Sequence, residues 1–329
     1  MPQGIVCAPQ PEAVEAGVLA LEQGGNAVDA AIACALVQTA IDPQMCGIAG
    51  FGSMQLYLPG QGQHHFIDFH GRAPAATQEN MWEDIVISET EDGFGFVLEG
   101  GVNDLGYQSI TSPGSIKAFA EAVERYGKLT LAELLEPAIG YCEQGFAVRS
   151  HVASYWNLVE AAGRIPHIER LRAIPATAKI YTREDGSIYK AGEILRNPDM
   201  GNTYRRIASA GVEDFYQGEI ASKIAADMKD NGGLLSADDL RDFQTEQREP
   251  VWGEFHGYEI ATNPLPGGGA MVIEMLNILS HFDLKAMGHN SSHYIATVAE
   301  AMKIATVDKD RHMGDPRYVD VPLDALLSA

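Results

Sequence analysis

The sequence has 329 residues, 46% of them hydrophobic and 21% charged, enough apolar material for a large core and too much for a disordered chain. There are 23 Lys and Arg against 45 Asp and Glu, a formal net charge of -22, which repels phosphate backbones and anionic lipid surfaces and argues against nucleic-acid and membrane partners. No basic segment followed by an apolar run opens the chain and no stretch of 18 apolar residues occurs, so a soluble cytoplasmic protein is expected.

No linker-like composition or fixed-period repeat divides the chain, and residues 1–329 read as a single domain. From Pro11, Val14, Val18 and Leu21 recur at helical spacing, and Gly24-Gly25 supplies the left-handed residue that ends such a helix. Asn26 is placed to cap a second helix, with Asp29 in capping-box position. That helix, running to Asp42-Pro43, is small or apolar on nearly every side and must be buried on nearly every side. A glycine-rich turn, Cys46 to Gly52, leads into the strand-like runs at 53–58 and 64–69, with Pro59-Gly60-Gln61-Gly62 between them as a hairpin signal. Residues 115–145 read as two helices meeting near Gly127, and residues 202–230 as further helix punctuated by Gly211. A strand over 254–262 meets Pro264-Leu265-Pro266-Gly267-Gly268-Gly269, which opens a helix, and a long helix follows from about Ser291 to His312. Helices therefore outweigh strands, and so few strands in so long a chain hints that others come from elsewhere.

Several patterns invite chemistry. The three glycines 267–269 suit either tight strand-to-helix turning or an anion at a helix N-terminus; they lack the Lys-Ser/Thr of a nucleotide loop. Asp308, Asp310, His312 and Asp315 fail the calcium-loop register, and residues two apart on a helix diverge, so ion pairing with Lys309 and Arg311 or helix capping is expected and no metal site. No G-x-S-x-G elbow marks a serine triad. The four cysteines, Cys7, Cys34, Cys46 and Cys142, have no metal-ligand spacing and read as free, mostly buried thiols. The run from Phe66 to Pro74 is the most informative: a strand ends and His70 and Arg72 emerge on either side of Gly71, where the backbone is expected to turn tightly. Arg72 suits bidentate capture of a carboxylate and His70 a hydrogen bond or proton; the competing reading is that Arg72 pairs with one of many surface carboxylates.

Five long blocks in order, from Glu15-Ala16-Gly17 to Leu58, from Ile67 to Thr77, from Ser112 to Val148, from Asn263 to Leu284 and from Ala299 to Pro322, resemble the γ-glutamyltransferase family. The resemblance implies a precursor that cleaves itself into two subunits. This chain would be the large one, and the catalytic nucleophile, an N-terminal Thr, would lie on the small subunit and not among these residues. It implies an α+β fold, the four-layer αββα sandwich of N-terminal-nucleophile hydrolases, with the small subunit supplying the missing strands. The implied chemistry is attack of the Thr hydroxyl on an amide carbonyl, its own α-amine as base, and transfer of the acyl group to water or an amine. No cofactor is implied, and the partners are the small subunit, in a heterodimer whose further assembly stays open, and a small-molecule amide. γ-Glutamyl-transferring relatives carry Arg directly after the Asp-Phe pair to hold the glutamyl α-carboxylate. His70 stands there in this chain, with Arg72 two residues on, on the same face if the chain stays extended. His70 and Arg72 are thus the expected substrate-binding residues. The alternatives are an amidase or acylase acting on another acyl group, or a relative that has lost catalysis and binds a partner.

Overall fold

In the computed structural model, which describes residues 4–93, 95–159 and 163–328, the opening helices are α1 (Pro11–Glu22) and α2 (Ala27–Ile41). The buried stripe of α1 is Ala13, Ala16, Gly17 and Ala20, while Val18 is 40% exposed. The expected Val14, Val18, Leu21 stripe is thus displaced, because the two helices approach too closely for large side chains. A methyl group on Gly17 would sit only 3.0 Å from the Ala30 carbonyl oxygen of α2. Gly24, at φ 93°, ends α1 as anticipated.

Eleven of the 15 residues of α2 are buried, as its all-apolar surface requires. The Asn26 side chain accepts from the Val28 and Asp29 amides, and Asp29 accepts from the Asn26 amide at 2.7 Å. Asp29 also accepts from the amides of Lys128 and Leu129, at 3.0 and 3.1 Å. One fully buried carboxylate therefore caps α2 and holds the link between α3 (Ser115–Tyr126) and α4 (Leu131–Gln144).

These helices belong to a unit formed by Met1–Gly52 and Phe69–Thr245. It also contains an antiparallel ribbon, β3 (Val86–Glu89) with β4 (Phe96–Leu98), and a short ladder, β5 (Phe146–Ala147) with β6 (Ile194–Leu195). The helices α5 (Ser150–Trp156), α6 (His167–Ala173) and α7 (Pro175–Tyr181) lie between β5 and β6 in sequence. The helical stretch expected over 202–230 is three helices, α8 (Pro198–Ala210), α9 (Glu213–Gln217) and α10 (Glu219–Asp230), because Gly211, at φ 86°, and Gly218 break it. A last helix, α11 (Ala237–Asp242), has its N-cap at Ser236. Tyr204 of α8 is fully buried and its hydroxyl shares a 2.6 Å hydrogen bond with Thr39 of α2.

The second unit is Ser53–Asp68 with Glu246–Ala329. The strands β1 (Gly52–Leu58) and β2 (Gln63–Phe69) are neighbours in a three-stranded sheet completed by β7 (Glu246–Arg248), in the order β1-β2-β7. The strand expected over 254–262 is a hairpin instead, β8 (Val251–Phe255) and β9 (Tyr258–Thr262), with Phe255 opposite Tyr258. Its two-residue turn, His256-Gly257, has both φ values positive, at 52° and 83°, the geometry that matches strand twist. Beyond it come α12 (Gly269–Ser280), α13 (Leu284–Met287), α14 (Ser292–His312) and α15 (Leu323–Leu326). Long helices beside small sheets make the chain α+β. Of the thiols, Cys34 and Cys142 are buried, Cys46 is half-buried and Cys7 is exposed, so burial is less general than expected; burial pushes the Cys46 and Cys142 thiols up to about 12.

Candidate functional site around His70 and Arg72

Strand β2 ends at Phe69, whose buried ring meets Phe119 edge-on at 6.1 Å. The next residues are gripped from both sides. The Gly50 carbonyl of the glycine-rich turn accepts from the amides of Gly114 and Ser115 at 2.8 and 3.0 Å, and the Arg72 carbonyl accepts from Ser112 at 2.8 Å. Gly71 does not take a left-handed φ, which corrects the expectation of a tight turn. Its requirement is space: a Cβ there would collide with the Thr111 side chain, and one on Gly114 with the Phe69 carbonyl. Residues 69–72 are therefore clamped between the 46–52 turn and the 111–115 segment.

The clamp gives the two expected residues different neighbours. His70 is half-buried, its ring 6.2 Å from that of Phe51 in the glycine-rich turn. Arg72 donates from Nη2 to the Gln244 carbonyl at 3.1 Å, and its guanidinium lies 5.5 Å from the centre of the Phe243 ring. Strand pairing stops at Phe69 and Arg72 makes a single antiparallel bridge to Ser112, so no sheet enforces the same-face alternation expected of residues 70 and 72.

Arg72 borders a cleft of about 260 Å³ whose wall includes Ser112, Phe243 and three carboxylates, Asp238, Asp239 and Asp242. Burial pushes the Asp239 carboxyl up, but hydrogen bonds from Ser236 and the Ala75 amide outweigh it and hold the group below its ordinary value. The Arg241 guanidinium holds Asp242 low in the same direction and also pairs with Asp238 at 2.5 Å. The cleft wall thus presents three carboxylates, two of them paired with Arg241, beside the Arg72 guanidinium, which already has a carbonyl and an aromatic face. Nothing in the sequence pointed to Asp238, Asp239, Thr111, Ser112, Phe243 or Gln244 as neighbours of Arg72.

The glycines at 267–269 take neither positive φ nor a side-chain cap. A Cβ on Gly267 would strike the Asn263 side chain and one on Gly269 the Asn263 carbonyl, so close passage of the backbone explains both. In the acidic cluster, Lys309 pairs with Asp310 at 2.7 Å and Arg317 with Asp315. Asp308 departs from the expected ion pairing and hydrogen-bonds Glu274 of α12.

The chain is mixed α+β with few strands among the described residues, and its structural neighbours are gamma-glutamyltranspeptidases and acylases of the N-terminal-nucleophile hydrolase class. The family model described as gamma-glutamyltranspeptidase matches residues 13–329, and the chain belongs to that family. It is 33% identical to a glutathione hydrolase proenzyme of Pseudomonas sp. (strain A14), over 98% of this chain and 53% of the relative. It is equally 33% identical to the acylase ACY 1 proenzyme of Pseudomonas sp. (strain V22), over 99% of this chain and 56% of that protein. The crystal structure of Helicobacter pylori gamma-glutamyltranspeptidase superposes with a TM-score of 0.88 at 30% identity, covering all of this chain and 89% of the other. The chain spans about half the length of the curated relatives it matches.

Proposed function

We propose that this chain is the large-subunit part of a self-processed enzyme that cleaves an amide bond through an acyl-enzyme on the small subunit's N-terminal Thr. The family match over residues 13–329 carries this reading, and the proenzyme names of relatives about twice as long support it. The small subunit would bring the remaining strands and cover apolar surface such as Ile295, Met302 and Ile304 on α14, each about half exposed. In this reading the segment around His70 and Arg72 forms part of the wall that receives the acyl group.

Mass spectrometry of the purified full-length product tests the first step. Two fragments, the second beginning with Thr, are expected; an uncut protein with no Thr at the junction overturns the reading. The acyl group is the second question. An imidazole cannot hold a carboxylate through two parallel N–H bonds as a guanidinium does, Arg72 is engaged by Gln244 and Phe243, and acylases are as similar as glutathione hydrolases. An acylase acting on a non-glutamyl amide is therefore the second reading. With a chromogenic γ-glutamyl anilide, His70→Arg is expected to raise kcat/KM about tenfold, the worth of one good charge-assisted contact. Efficient turnover by the unaltered enzyme, with no gain in the variant, would remove the acylase reading.

A further inference from the structure

Glu274, on α12, is 6% exposed, a depth at which an ionised carboxylate is expected to have a cationic or hydrogen-bonding partner. Its Oε2 accepts no hydrogen bond among the described residues. What meets it is a second acid, the Asp308 carboxyl of α14, and two carboxyl groups hydrogen-bond only with a proton between them. The rest of α14 gives this contact weight. Of the 21 residues in that helix, Ala301 and Ala305 are the buried ones. Asp308 follows Ala305 by three residues and so continues the same face. The outer residues Ile295, Met302, Ile304 and Val307 are all 45% or more exposed. The two buried alanines and Asp308 thus share one face of a helix that packs against α12.

We propose that Glu274 and Asp308 form a proton-operated latch between α12 and α14, closed while the two carboxyls share a proton and open when both are ionised. The other charged or titratable acid and base groups on the elements packed against α12 are Glu254 of β8, Glu259 of β9 and Asp324 of α15, together with His293, Glu300, Lys303, Lys309, Asp310, Arg311 and His312 of α14. Asp308 is the one whose charge acts on Glu274. Lys303 is drawn to Glu300 and Lys309 to Asp310, at 2.8 and 2.7 Å, so neither neutralises the pair. Burial, and then the hydrogen bond and negative charge of Asp308, push the Glu274 carboxyl up to about 7. A carboxyl raised in the folded state stabilises that state at low pH, and the contribution is lost as pH rises through the folded value. The latch therefore closes on the acid side of neutrality and releases above it.

The test is hydrogen exchange of the α14 amides in the full-length protein, corrected for intrinsic exchange, from pH 6 to 8.5. Opening of α14 in the unaltered protein is expected to become about tenfold more favourable over that range. In Glu274→Gln, whose amide can donate to Asp308 at every pH, the profile is expected to be flat. Asp308→Asn, which donates in the other direction, should flatten it likewise and serves if the first variant fails to fold. The same pH dependence in the unaltered protein and in a folded variant, or protection that increases with pH in the unaltered protein, overturns the latch.

Discussion

Replacing Asp29 by Ala tests how the start of α2 is joined to the link between α3 and α4. Its carboxylate accepts from three backbone amides, those of Asn26, Lys128 and Leu129, at 2.7 to 3.1 Å, and is itself fully buried. Hydrogen bonds to a charged acceptor each contribute about 1.5–3 kcal/mol, and donors left bare inside a protein cost a similar amount. Lys128 is exposed and Leu129 half-buried, so water can replace part of two of the three bonds, and the loss is expected to be about 3 kcal/mol. In a unit of this size that lowers the melting temperature by roughly 6–12 °C. Asp29→Asn, which keeps one accepting oxygen, should fall between the parent and the alanine variant. Calorimetry or urea unfolding of the full-length protein measures both. A loss below about 1 kcal/mol for the alanine variant, within the range of ordinary surface changes, would refute the argument that one carboxylate carries this junction.

Gly71→Ala should cost roughly 1–3 kcal/mol by overpacking against Thr111. It should lower activity more than Ala73→Gly does, because it displaces the Ser112–Arg72 bridge; equal activities in the two variants would count against the clamp. Asp214 accepts from Arg206 through both oxygens, at 2.6 and 2.8 Å, and from the Glu219 amide at 3.1 Å. The Arg206 guanidinium, then the backbone amides of Glu219 and Ile220, hold its carboxyl far below the usual range. A depressed carboxyl stabilises the folded state above its unfolded value and loses that contribution as pH falls. Asp214→Asn is therefore expected to be less stable than the parent near pH 7, with the gap closing towards pH 2 in an acid-unfolding series; a gap that stays constant would show the charge to be irrelevant.

What the sequence disclosed depended on how local the cause was. The Asn26–Asp29 box and the burial of α2 follow from neighbours in the chain, and both were legible. The buried face of α1 was not, because the small stripe Ala13, Ala16, Gly17, Ala20 is chosen by the close approach of α2 rather than by hydrophobicity. The β8–β9 turn is not legible in sequence, because His256 takes a positive φ that only its neighbour Gly257 advertises. At the site, residues 70 and 72 could be singled out, but the amide of Ser112 and the carbonyl of Gln244 reach Arg72 from about 40 and 170 residues away. Contacts of that separation leave no trace in a single sequence.

The order β1-β2-β7 has a consequence in time. During synthesis the β1–β2 hairpin leaves the ribosome roughly 180 residues before β7 does, which at 5–20 residues per second is an interval on the order of ten to forty seconds. Throughout it Phe66 and Ile67, buried in the finished protein, lie on a strand whose far edge has no neighbour from its own sheet. Such an edge pairs readily with other chains. The nascent protein therefore carries an unpaired strand edge while the residues between the two halves of that sheet are still being made.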